Sequence, residues 1–354
     1  IPELKNNLGD GIVYFTTRNM LSNDSHYFDK NSLIYVYKLR EKEQMQLLTS
    51  VLYKNTIIST AEYNRISAFL KELLPYPLDI LSAAYYIKNT SISLDEYLER
   101  MYRLRSSFEN VQNSIHKSSL LYKNTRNIII TSSISSLIKQ NTLFKKLLLS
   151  LTLVDSQDIP RQILYLAYPD EIVDKFILAL KQNFIAEIHN DKIYVHKTVQ
   201  KISQQFLAEN TDYSTILDVA STLVNTIYEL QNIYTNNNDN RAGVHLKIHI
   251  KSLLQKLDKI LKQHDANLLK TRLYYSLAKI NFDNLVNYIS TVKYYNLALS
   301  SNKTANILSK VELASIEQDL GWIMLYWNQF EPSQKHINNS LEICAKSPEC
   351  NDIL

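Results

Sequence analysis

Three short groups of residues combine types that could hold a phosphate-bearing ligand. Thr16-Thr17-Arg18 follows the apolar run Gly11 to Phe15, which lacks polar alternation and so reads as a strand buried on both faces. The triplet then falls at the carboxyl end of a strand, where open α/β sheets bind ligands. A guanidinium there is planar and permanently charged, and it matches the oxygens of a terminal phosphate. In the second group, Pro75-Tyr76-Pro77-Leu78, the prolines break the chain and start a helix from Leu78 to Lys88. The third is His196-Lys197, at the end of a hairpin. A histidine can donate from either nitrogen and carries charge once protonated.

Residue type alone leaves each of these open. Arg18 also fits a surface arginine closing a strand, a helix-opening proline needs no ligand, and His196 also fits an ordinarily packed hairpin histidine. His245 and His249 lie one helical turn apart and could share a metal, but no acid stands at the matching spacing. They read, with His264, as packed or exposed. Cys344 and Cys350 flank Pro348 without the further ligands a structural zinc needs, so no metal site is expected. Two cysteines in 354 residues make no disulfide framework and point to a reducing, cytoplasmic setting. The net charge of +4, without a continuous basic stripe, is weak for a nucleic-acid partner. No apolar run approaches the ~18 residues that span a bilayer.

The elements that must position these groups are mostly helical. Four glycines are few for the strand-to-helix loops of an α/β enzyme of this length. Leu33 to Tyr37 reads as a second buried strand, followed by a helix through Leu47, Leu48 and Leu52. Ile66, Phe69, Leu70 and Leu73 recur at helical spacing, and Ser93-Leu94-Asp95-Glu96 opens another helix with a capping residue and early acids. Residues 106–131 read as a helix plus connector. Beyond them, helices are expected over Ile134 to Leu151, Ser156 to Tyr168 and Asp170 to Lys181. Strands Phe184 to Ile188 and Lys192 to His196 then flank the turn His189-Asn190-Asp191. Three helices followed by a two-stranded wing describe a winged helix. From residue 212 the pattern is helical, interrupted by the polar run Thr235 to Asn240. Segments beginning at Leu277 and Leu320 repeat at a period of about 40 residues, with small residues (Ala278 and Ala298, Gly321 and Ser340) where two helices approach. The abundance of Ile, Asn, Lys, Tyr and Ser is that of an AT-rich bacterial genome.

In this order, the three groups resemble the second half of an NB-ARC nucleotide switch, the module of STAND signal-transduction ATPases. The resemblance covers about residues 5–205, and a looser likeness to tetratricopeptide repeats covers 210–354. It implies a mainly α chain in four parts: the edge of an α/β nucleotide-binding domain (1–55), a helical subdomain (56–130), a winged helix (131–208) and tetratricopeptide-like repeats (209–354). It further implies that Thr16, Thr17 and Arg18 sense the terminal phosphate, that Pro77 with Leu78 packs on the adenine ring, and that His196 meets the β-phosphate of ADP. Pro75 stands where the family carries glycine, and Lys197 where it often carries aspartate. ATP or ADP is then the ligand of a full-length protein with weak ATPase activity. These 354 residues contain no glycine-rich phosphate loop, so the chain is expected to be the C-terminal part, unable to hydrolyse ATP or hold nucleotide tightly. The repeats imply a protein partner and self-association on activation, without a membrane. The alternative is a nucleotide-independent scaffold, such as a bacterial effector translocated into a host cell to bind a host protein. DNA binding is disfavoured, because Asp170 to Asn183 offers only Lys175, Lys181, Gln182 and Asn183 beside three acids.

Overall fold

The computed structural model describes residues 38–54, 58–109, 117–347 and 349, with backbone alone for 102–109 and 117–126. Among them the chain is mainly helical, with one small three-stranded sheet. The expected strands at Gly11 to Phe15 and Leu33 to Tyr37, and with them the sheet edge of 1–55, lie outside the described residues.

Four helices come first: α1 (Glu41–Leu52), α2 (Thr60–Lys71), α3 (Pro77–Thr90) and α4 (Leu94–Glu109). Their starts follow local chemistry. Ser59 accepts from the Glu62 amide at 3.2 Å, Pro77 occupies the first turn of α3, and Ser93 and Glu96 cap each other's amides at 3.1 and 2.9 Å. The apolar faces meet around Leu48, Ile66, Phe69, Ile80 and Tyr97. Helix α5 (Lys117–Gln140) belongs to two cores. Ile128 and Ile129 close the first, while Ile130, Ile134 and Leu137 open a larger one.

That larger core is built on α6 (Leu143–Leu153), β1 (Ile159–Pro160), α7 (Gln162–Tyr165), α8 (Asp170–Gln182), β2 (Ala186–His189) and β3 (Lys192–Val195). The strands are antiparallel in the order β1-β3-β2, with Ile188 opposite Ile193. The hairpin turns at Asn190 and Asp191, whose φ values of 45° and 59° give the left-handed pair that a two-residue turn requires. Two local expectations are corrected. The helix expected over Ser156 to Tyr168 is a two-residue strand and a single helical turn. Asp158 takes φ 53°, Pro160 has no amide for a helix interior, and β1 pairs instead with β3 as an edge strand, where proline is tolerated. The run Ile134 to Leu151 is two helices, because the Asn141 side chain accepts from the Leu143 amide at 2.8 Å and starts α6 anew.

The chain continues as α9 (Lys197–Glu209), α10 (Tyr213–Asn236), α11 (Asn240–Ile260) and α12 (Gln263–Lys279). A π-helical turn (Ile280–Asn284) leads to α13 (Tyr288–Ala305), α14 (Lys310–Tyr326) and α15 (Phe330–Ala345). The larger core runs unbroken from Ile130 to Ile280, so the helix–hairpin unit and α10–α12 share one apolar interior. Helices α12 and α13, and α14 and α15, pair as hairpins. The small residues mark the close approaches. A Cβ on Gly321 would lie 2.8 Å from Ile337, and Ser333 and Ser340 of α15 donate to the Gly321 and Ala314 carbonyls at 2.8 and 3.0 Å. Between the hairpins Asp319 is buried against the Tyr295 hydroxyl, with Lys279 at 3.2 Å from it and 3.3 Å from Asp283.

Candidate functional site

Of the residues singled out by type and spacing, Pro77, Leu78 and His196 are described, and Thr16, Thr17 and Arg18 lie outside the described residues. Pro77 is exposed at the first position of α3. The Leu39 amide donates to the Pro75 carbonyl at 2.9 Å, fixing the turn, and the Lys38 ammonium lies 6.0 Å from the centre of the Tyr76 ring. Leu78 is half-buried and packs on the larger core, away from most of α3, which belongs to the smaller one. Further along α3, Tyr85 stacks on Phe184 at 5.2 Å with the rings nearly parallel, and Asn89 donates to the Gln182 carbonyl. Helix α3 therefore leans on the end of α8, just before the hairpin.

His196 is exposed where β3 runs into α9. Its Nδ1 accepts from the Thr198 amide at 3.2 Å, which caps α9 and puts the proton of the neutral ring on Nε2. The following helix starts here because a side-chain acceptor satisfies an otherwise orphaned amide. Pro77 and His196 are joined through the protein interior: Leu78, beside the one, and Val195, beside the other, belong to the same core.

A second set of polar residues stands where α11 meets the hairpin unit, and type and spacing did not announce it as a unit. His249 is 1% exposed and its Nε2 hydrogen-bonds the Asp158 carbonyl at 3.1 Å, while Nδ1 has no partner. Burial pushes its pKa down to about 4, against a smaller opposing pull from the carbonyl of Asp158. Two turns further along α11, the Lys256 ammonium donates to the Val154 and Thr152 carbonyls at 2.6 and 2.9 Å, and burial lowers its pKa to about 8. Gln200 donates to Leu151 and Val154 from the other side at 2.8 and 3.0 Å, so the carbonyl end of α6 is capped from two elements. Asp158 itself receives the Tyr194 hydroxyl at 2.9 Å and Lys192 at 3.1 Å, which hold its carboxyl below the usual range. These contacts fix the hairpin unit to α11. They bring no reactive pair together, and among the described residues no group of three or more His, Cys, Asp or Glu side chains could hold a metal ion.

The far end of the chain carries apolar surface. Trp322, Leu325 and Tyr326 share a face of α14, and Phe330, Ile337 and Leu341 share one of α15; all are exposed, Phe330 by 67%. Tyr288 packs edge-on against Tyr326 at 5.0 Å, and Ile289, beside it, is 77% exposed. Among the described residues no helix is long and apolar enough to cross a membrane. No family model, curated protein or solved structure matches the chain.

Proposed function

We propose that this chain is the C-terminal part of a nucleotide-dependent signalling switch of NB-ARC type, with a helical-repeat region that docks a protein. The observation that supports it most is the succession helix, short strand, two helices and hairpin in residues 143–195, with a three-stranded sheet in the order β1-β3-β2 and His196 at its exit. That succession is what a winged helix requires, and His196, the residue that the resemblance has meet a β-phosphate, follows it with an exposed imidazole. In this reading ADP holds the module closed through His196, Pro77 packs on the base with Leu78 behind it, and Arg18 senses the terminal phosphate of ATP. Nucleotide shifts such a two-state equilibrium only by its differential affinity for the two arrangements. Domain rotation is the output. Against DNA binding, Lys175 on α8 is already engaged by Glu171 at 2.6 Å.

A second reading, a nucleotide-independent scaffold, draws on the exposed aromatic and aliphatic surface of α14 and α15, since patches of this kind mark interaction sites. Calorimetry separates the two. The 354-residue chain titrated with ADP or ATP gives no saturable heat in either case. A chain extended upstream through a phosphate-binding half binds ADP if the switch reading holds, and His196→Ala weakens ADP at least tenfold while leaving ATP nearly unchanged. Failure of the extended chain to bind ADP, or equal loss of both nucleotides, removes the switch and leaves the scaffold.

A further inference from the structure

A cavity of about 310 Å³ opens between α3, α4 and α5, lined among the described residues by Tyr86, Tyr97, Arg100, Met101, Ile128, Ile129 and Ser132. None of Pro77, Leu78 and His196 lines it, and its surface is mostly apolar. Of the polar groups on these residues, two bear on a ligand. Tyr97 is 3% exposed, its ring wedged edge-on against Phe69 at 5.6 Å and Tyr86 at 5.7 Å, and its hydroxyl has no hydrogen-bond partner. A buried hydroxyl is almost always paired, because burying it unpaired forfeits its hydrogen bond to water. An orphan on the wall of a cavity marks a place where a ligand oxygen is missing. One turn of α4 later, Arg100 is exposed and also lines the cavity, and it acts electrostatically on Glu96 of its own helix. A guanidinium beside a hydroxyl donor is a carboxylate-binding pair.

Size narrows the ligand. The cavity is roughly twice the ~150 Å³ that takes up a benzene ring in an apolar protein interior, and at the lower end of ligand pockets. That suits a medium-length acyl chain or a two-ring body and excludes a nucleotide with its phosphates. We propose that this cavity is a binding site for a small amphipathic carboxylic acid. Its apolar body lies against Met101, Ile128 and Ile129, and its carboxylate is answered by the Tyr97 hydroxyl and the Arg100 guanidinium.

Isothermal titration of the whole 354-residue chain with decanoate and with the neutral decanol tests this. Decanoate binds saturably at one per chain and more tightly than decanol. Arg100→Gln, at an exposed position where folding is not at stake, weakens decanoate at least tenfold and leaves decanol unchanged. Met101→Trp, which fills the cavity, abolishes both while the thermal midpoint is retained. Absence of saturable decanoate binding overturns the proposal, as does tighter binding of decanol than of decanoate. Wild-type binding by Arg100→Gln overturns it too, since the acid would then sit elsewhere, such as on the exposed surface around Trp322 and Phe330.

Discussion

Burying His249 neutral makes the junction between α11 and the hairpin unit sensitive to acid. In the unfolded chain this histidine titrates near 6.5, and in the folded protein burial moves it to about 4. Between those values the unfolded state binds the extra proton, so stability falls as pH drops through the window and levels off below the folded value. The whole difference corresponds to about 3 kcal/mol, and most of it is lost by about pH 4.5. Structure explains why protonation is resisted. Nε2 already donates to the Asp158 carbonyl, so the added proton goes to Nδ1, which is buried without an acceptor. Asp155 and Asp158 favour the charged ring from nearby and His245 opposes it, but desolvation outweighs them. His249→Gln keeps a donor for Asp158 and removes the titration. Urea unfolding followed by circular dichroism, from about pH 7.5 to about pH 4.5, should show the wild type losing about 2–3 kcal/mol more than the variant. Parallel pH curves for the two proteins would refute the reasoning, because some other group would then carry the acid sensitivity.

Two further outcomes test the packing of the C-terminal helices. Gly321→Val forces a branched side chain into the 2.8 Å approach to Ile337 and should cost about 1–3 kcal/mol of unfolding free energy; an unchanged urea midpoint would mean that α14 and α15 do not touch there. Val286, 63% exposed after the π-helical turn, holds φ 49°, a left-handed conformation that costs a β-branched residue about 1–2 kcal/mol. Val286→Asn should raise the thermal midpoint by relieving part of that strain, and a lower midpoint would show that the valine side chain matters more than its backbone.

Elements with local causes were legible in the sequence, and elements with distant ones were not. Asn190-Asp191 between two β-rich runs announces a hairpin because few residues accept two consecutive left-handed conformations, and both do so here. Pro77, Ser93 and the polar run at 235–240 mark helix boundaries for reasons contained within one turn of chain. Strand β1 is different. Ile159 and Pro160 are too few to show alternation, and their partners, Ile193 and Lys192, lie more than thirty residues away. The same holds at the junction. His249 and Lys256 look like two ordinary basic residues on a helix, and only folding aims them at carbonyls 91 and 102–104 residues distant. The proposed site shares this asymmetry. His196 was legible as the residue leaving a hairpin, whereas the orphaned Tyr97 hydroxyl exists only once Phe69, Tyr86 and Ile128 surround it.

The two cores also constrain any rearrangement the chain undergoes. Rotating the hairpin unit against α10–α12 would split an apolar interior continuous from Ile130 to Ile280 and pull the His249 and Lys256 donors away from the Asp158, Thr152 and Val154 carbonyls. Packed interiors yield at boundaries rather than through their middles. The boundary available here lies within α5, where Ile129 ends one core and Ile130 begins the other. Among the described residues, the two halves also meet through Leu78, the Tyr85–Phe184 stack and the Asn89 hydrogen bond, all on α3. Any such rearrangement would therefore carry His196 and α10–α12 as one body and swing them against α1–α4. Pro77, at the head of α3, stands on the opposite side of that pivot from His196. A ligand touching both would hold the two bodies together, and losing its contact with either would free them.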